Sequence, residues 1–309
     1  MRDTAVKVLE KLCAGKANIF LLSADLGFRL FDSFINTFPS RFINAGVAEA
    51  NMIGVAAGLA LSGKNVYCYS MVPFLTMRCF EHIRVDLCYH NLNVKLMGVG
   101  GGLYYGLEGM THHAIEDIAI MRSLPNMTVV VPGDTLEVQA VINESVTYEG
   151  PLYIRLAKDE NQHVYDTMPA IKIGKGNVVH EGSDISIFAN GSMLHPAKLV
   201  TGMLARKGLS VALVSMHTVK PLDVALIKRC AKDSKAIFTV EEHSIIGGLG
   251  SAVGEALMEL NYKGIFRRIG IPDAYGQAIG STNYLREKYG LTPGAIADYV
   301  LKEYQRQQC

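Results

Sequence analysis

Short, uninterrupted apolar runs recur along this chain, separated by segments of helical periodicity. The runs fall at residues 19–23, 66–69, 94–99, 128–131 and 152–156, and again at 185–189, 210–215, 236–240 and 266–270. A strand with one solvated face alternates apolar and polar residues. A strand that is apolar throughout is buried on both faces, as in a parallel sheet covered by helices. Helical patterns lie between the runs, at 1–12, 49–61, 75–89, 115–122 and 136–147, then at 196–207, 224–233, 250–260 and 293–305. Thr292 followed by Pro293 fits an N-cap and first helical position for the last of these. A short strand at 42–44 leads into the helix that opens at Glu49. The fold class expected is α/β, with two parallel-sheet α/β domains.

Periodicity weakens between 157 and 182, around Pro169 and a turn at 174–176. The expected division is a first domain over 1–160, a linker over 161–180 and a second domain over 181–309. A length of 309 residues suits two domains of roughly 100–200 residues each. Thirty Lys and Arg against 29 Asp and Glu leave a net charge of +1, which gives no long-range pull toward phosphate backbones or anionic membranes. Residues 1–12 lack the apolar core of a secretory signal. The most apolar stretch, 50–61, contains Asn51 and falls far short of the roughly 20 residues needed to span a bilayer. The six cysteines (13, 68, 79, 88, 230 and 309) form no CxxC and no zinc spacing, so reduced, buried thiols of a cytoplasmic protein are expected. Neither a nucleic-acid nor a membrane partner is expected.

Two glycine-rich segments test for a dinucleotide site, and both fail. The segment from Gly98 to Leu103 and the segment from Gly248 to Val253 each carry a bulky residue where the fingerprint needs its third small one. Glu49 is more informative. It opens a helix of small and apolar residues, where a carboxylate either caps the helix or serves as a buried acid poised against a ring nitrogen. A second cluster, Glu108-Gly-Met-Thr-His112-His113, could carry a proton or contact a substrate through either histidine, or could be an exposed loop. Adjacent histidines project in different directions, which argues against a shared metal.

Several ordered segments then carry a resemblance. Phe42-Ile-Asn-Ala-Gly-Val-Ala-Glu49-Ala-Asn resembles the transketolase-family segment that holds the cofactor-activating glutamate. Glu108-Gly-Met-Thr-His112-His113 is similar to that family's Asp-Gly-Pro-Thr-His-Gln loop. The segments from Ser123 to Pro132, Tyr153 to Arg155, Lys220 to Asp223 and Glu241 to Ala252 follow in the family's order. The resemblance covers the whole chain, as a pyrimidine-binding domain followed by a C-terminal domain. It implies thiamine diphosphate as cofactor and transfer of a ketol unit between sugars. Glu49 would hydrogen-bond the cofactor's pyrimidine nitrogen. Phe74 would stack on that ring, with Met71 and Met77 where further pocket aromatics stand in the family, and Asp25 would lie near the thiazolium. His112 would contact the substrate. Gly100, Glu108, His113 and Arg155 would complete the substrate side, Arg155 by binding a phosphate or another anion.

Departures concentrate on that substrate side. Glu108 replaces the family's aspartate, His113 its glutamine, and Gly100, inside a triple glycine, its histidine. A modified sugar, rather than an ordinary pentose phosphate, is therefore the expected substrate. No Gly-Asp-Gly segment for the diphosphate and its Mg²⁺ occurs in the sequence. The resemblance thus implies a larger partner subunit that binds Mg²⁺ and the diphosphate, in an α2β2 heterotetramer, with this chain inactive alone. Three alternatives share these domains: the β subunit of a 2-oxo acid dehydrogenase E1 component, a deoxyxylulose-phosphate-synthase-like enzyme, and a non-catalytic transketolase-like scaffold.

Overall fold

The computed structural model describes residues 1–158, 163–276 and 278–306; the expected domain boundary at 160/161 and Cys309 lie outside them. The first half runs α1 (Arg2–Gly15), β1 (Ile19–Ser23), α2 (Asp32–Thr37), β2 (Phe42–Asn44), α3 (Glu49–Leu61), β3 (Asn65–Met71), α4 (Val72–Thr76) and α5 (Phe80–His82). It continues with β4 (Val94–Val99), α6 (Asp117–Ser123), β5 (Thr128–Val130), α7 (Thr135–Ser145) and β6 (Leu152–Leu156). The second half runs β7 (Asn177–His180), β8 (Ile185–Ala189), α8 (Leu194–Ala205), β9 (Val211–Ser215), β10 (Thr218–Lys220), α9 (Val224–Asp233), β11 (Ala236–Ser244), α10 (Leu249–Glu259), β12 (Ile265–Ile271), α11 (Thr282–Lys288) and α12 (Pro293–Gln305).

The strands form two sheets, ordered β10-β5-β6-β4-β3-β1-β2 and β12-β11-β8-β9-β7. Every residue of β4, β6, β8 and β9 is buried, which is the two-sided burial that the continuous apolar runs predict. Neither sheet is wholly parallel, however. β10 runs antiparallel to β5, and β7 antiparallel to β9. β7 also draws residues 177–180, inside the expected linker, into the second sheet. β10 leaves the second half of the chain and extends the first sheet across the junction. One apolar core reaches across that junction as well. It packs Ile118, Met121 and Leu124 of the first half with Val219, Leu249 and Val253 of the second.

Three further differences have local causes. The helix expected over 75–89 starts earlier, with Pro73 in the first turn of α4, then breaks and resumes as a π-helical segment, Ile83–Tyr89. The helix expected from 115 begins at Asp117, because Ala114 turns back to pair with Gly102. The small helices α2 and α11 are too short to show a period in the sequence. At the C-terminus, Thr292 Oγ1 accepts from the Ala295 N–H at 3.4 Å, as its position before Pro293 predicts. Among the described residues, no helix is long and apolar enough to cross a membrane.

Candidate active site

β1, β3, β4 and β6 lie parallel, so the segments that follow them emerge on one edge of the first sheet. That edge is where open α/β sheets bind ligands. Asp25 follows β1, Met71 ends β3, Phe74 lies in α4, residues 100–113 follow β4, and Arg155 sits near the end of β6. β2 feeds Glu49 to the same edge as the first residue of α3.

Glu49 is 3% exposed. Ser70 Oγ donates to its Oε1 at 3.5 Å, and Arg78 Nη1 donates to its Oε2 at 3.1 Å. The unpaired N–H groups of the first turn of α3 favour a carboxylate at this place. Arg78 also lies over the Phe74 ring, with its Cζ 4.2 Å from the centroid. His112 also meets the Phe74 ring edge-on at 5.2 Å, and the Tyr105 ring lies 6.1 Å from that of His112. Glu49, Phe74 and His112, remote in sequence, therefore join one wall through Arg78. Met71 is half-buried against the first-half core, while Met77 is exposed. Asp25 adopts a positive φ of 55°, held because Asn44 Nδ2 donates to its Oδ1 at 2.9 Å while its own N–H donates to Asn44 Oδ1 at 3.1 Å.

The triple glycine makes room for three side chains. A Cβ on Gly100 would overlap the Tyr105 ring, one on Gly101 would come within 2.6 Å of Arg155 Nε, and one on Gly102 would overlap the Glu242 carboxylate. Gly100 and Gly102 also take positive φ values of 81° and 79°, which other residues rarely adopt. The loop, the first sheet and the second domain interdigitate at these three positions. Tyr105 thus covers Gly100, and its burial raises its phenol above the ordinary tyrosine value.

Arg155 is not presented to the opening. It is 3% exposed and donates from Nε to Asp117 Oδ2 at 2.8 Å and from Nη2 to Asp117 Oδ1 at 3.2 Å. Nη2 donates further to the carbonyls of Ala114 and Glu242, at 2.7 and 3.1 Å. Tyr153 adds a 2.6 Å hydrogen bond to the same aspartate. The guanidinium expected to hold a substrate anion is thus committed to an internal pair, where removing either partner would strand a buried charge. His113 also turns inward. It is 4% exposed, beside Gly276 of the second half, and burial pushes it below the ordinary histidine value. Glu108 is exposed at the loop's tip. Sequence reasoning missed Arg78, Tyr105, Asp117 and Glu242. Arg78, four residues after Phe74 on a helical pattern, left a local signal, and Glu242 lies in the family-like segment from Glu241 to Ala252.

The pyrimidine end of thiamine diphosphate fits these residues chemically. A buried carboxylate at a helix start can accept from a ring nitrogen, and the Phe74 ring offers a flat apolar face. Among the described residues, no group of three or more His, Cys, Asp or Glu side chains is placed to hold a metal ion.

Comparison with known proteins places the chain in a family. The transketolase pyrimidine-binding domain model matches residues 1–163, and the transketolase C-terminal domain model matches 174–296. The 6-deoxy-6-sulfo-D-fructose transketolase subunit of Clostridium sp. (strain MSTE9) is 39% identical over 96% of this chain and 92% of its own length. A subunit of the apulose-4-phosphate transketolase of Actinobacillus succinogenes is 36% identical over 87% of this chain and 86% of its own. A solved split-gene transketolase, an inactive β4 tetramer, superposes with a TM-score of 0.91 at 38% identity, covering 98% of both chains. With both domain models matched in order along one chain, this protein belongs to the transketolase family.

Proposed function

We propose that this chain is the smaller subunit of a split thiamine-diphosphate-dependent transketolase that transfers a ketol unit from a modified ketose in the cytoplasm. The observation that carries this reading is Glu49, buried at the start of α3 on a wall shared with Phe74 and His112. When bound, thiamine diphosphate supplies the nucleophilic carbon and the electron sink for breaking a carbon–carbon bond. Glu49 holds the proton at the pyrimidine nitrogen, Phe74 packs on that ring, and His112 faces the sugar hydroxyls. Met71 and Met77 border the pyrimidine and Asp25 the thiazolium side, while Gly100, Glu108 and His113 shape the loop that faces the substrate. Arg78, half-exposed, can swing off Glu49 at little cost as the ring enters.

The diphosphate and its Mg²⁺ are held by a larger partner subunit in an α2β2 assembly. The likeness to transketolase subunits named for sulfofructose and apulose phosphate supports this. The test is reconstitution. The pure chain binds thiamine diphosphate weakly and turns over no sugar, and adding a subunit with the diphosphate domain restores both. Ketose donors then outperform pyruvate. Turnover by this chain alone overturns the split assembly, and preference for pyruvate overturns the transferase chemistry.

A further inference from the structure

The second sheet reverses its strand order between β8 and β11. The crevice beyond the carboxyl ends of two such strands is where open α/β sheets take ligands. Here the crevice lies between residues 190–192, which follow β8, and Glu241 and Glu242 near the end of β11. Its occupant is the first domain. The Leu103 N–H donates to Glu242 Oε1 at 2.7 Å, and Gly102 lies so close to that carboxylate that any side chain would overlap it. Arg155 donates to the Glu242 carbonyl, and the Gly191 N–H donates to the Val131 carbonyl at 3.0 Å. Glu242 is itself 1% exposed, and its Oε2 is held by Arg286 of α11 and by Ser192 Oγ.

We propose that Glu242 is a positioning residue: it seats the loop 100–113 in the switch-point crevice of the second domain, and so sets how tightly the donor sugar is held. The proposal rests on the transketolase reading of that loop. The physical need is clear in the loop's composition. Gly100, Gly102 and Gly109 all take positive φ, and so many glycines give a free loop many conformations to lose. Locally, the loop closes on itself through the bridge between Gly102 and Ala114. Without Glu242, the Leu103 N–H and the Arg286 guanidinium would both be buried without their acceptor. The second domain thereby acts on the loop of the substrate side.

The test uses the full chain, alone and reconstituted with its diphosphate-binding partner. In the chain alone, Glu242→Ala raises hydrogen–deuterium exchange over residues 100–114 while β3 and β8 stay protected. In the complex it raises KM for the ketose donor about tenfold or more, the scale of one charge-assisted hydrogen bond. Half-saturation by thiamine diphosphate does not move. Glu242→Gln, which keeps an acceptor oxygen, recovers part of the loss. Arg286→Lys shifts the same two quantities in the same direction and serves where Glu242→Ala fails to fold. Unchanged exchange in the loop overturns the proposal, as does a uniform loss of kcat, donor affinity and cofactor affinity. The exchange measurement needs neither partner nor sugar, so it stands even if the transketolase reading fails.

Discussion

The two walls of the site are built in opposite ways. The proposed cofactor wall draws on the first domain, with Glu49 at a helix start, Phe74 on α4, and Arg78 half-exposed between them. The proposed substrate wall is a glycine-rich loop wedged between domains. Tyr105 covers Gly100, the Arg155–Asp117 pair lies against Gly101, and Glu242 of the second domain lies against Gly102. A wall resting on one helix start can lose its chemistry and keep its fold. A wall made by interdigitation cannot change without disturbing both domains. Substitutions on the first should therefore register mainly as activity, and on the second as order and stability of the loop together with donor affinity.

The sharpest way to break that contrast is Glu49→Gln. The amide keeps the size and loses the proton-holding carboxylate, so activity of the reconstituted complex should fall about 10²–10⁴-fold. The melting temperature of the chain should stay close to that of the unaltered protein. A large fall in melting temperature would mean that Glu49 serves the fold as much as the chemistry. Gly102→Ala should do the reverse. Its Cβ meets the Glu242 carboxylate at a backbone φ of 79°, so overpacking and strain together should cost about 2–6 kcal/mol in denaturant unfolding. A loss under about 1 kcal/mol would show that the loop yields easily and that the domains do not grip it.

The placement of Glu49, buried at the start of α3, was legible in the sequence, and the reason is local. Glu49 announces itself by preceding a run of small and apolar residues, and the strands beside it are continuous apolar runs that only two-sided burial explains. The substrate wall was not legible. Three glycines in a row read equally well as mobility or as space, and what decides is the side chain that fills each one. The partner of Leu103 lies 139 residues away, at Glu242. Arg155 carries no sign in its own neighbourhood that Asp117 will bury it in a pair. Strand β10 escaped for the same reason, since Thr218–Lys220 becomes a strand only by pairing with β5 across the domains. Signals written in periodicity survived; those written in tertiary proximity did not.

The junction of the domains also carries charge, which gives a third prediction. Glu137 is wholly buried and accepts from the Gly133 N–H at 2.6 Å and the Tyr165 hydroxyl at 2.7 Å. Burial pushes its carboxyl up to about 7. A carboxyl raised by folding is bound more tightly to its proton in the native state, so its contribution to stability falls as pH rises from about 4.5 to about 7. His217, lowered by burial to about 4, acts the other way and favours the fold as pH rises from about 4 to 6.5. Glu137→Gln mimics the protonated carboxyl and removes the falling slope alone. Measured by denaturant unfolding, its stability relative to the unaltered chain should therefore rise by about 2–3 kcal/mol between pH 5 and pH 8. A difference that does not vary with pH would place the ionisation elsewhere.

The smallest expected effect returns to the cofactor wall. Arg78 pairs with Glu49 at 3.1 Å, but its own side chain is 53% exposed, so water screens the pair and much of its strength is lost. Removing it should change stability by less than about 1 kcal/mol. Its second contact covers one face of the Phe74 ring. Arg78→Ala therefore exposes both the carboxylate and the ring together, and in the reconstituted complex half-saturation by thiamine diphosphate should stay level or move to lower concentration. Weaker cofactor binding would mean that the guanidinium orients Glu49 instead of covering it. The cofactor wall would then depend on a network after all, and the contrast with the substrate wall would narrow to the second domain's share in it.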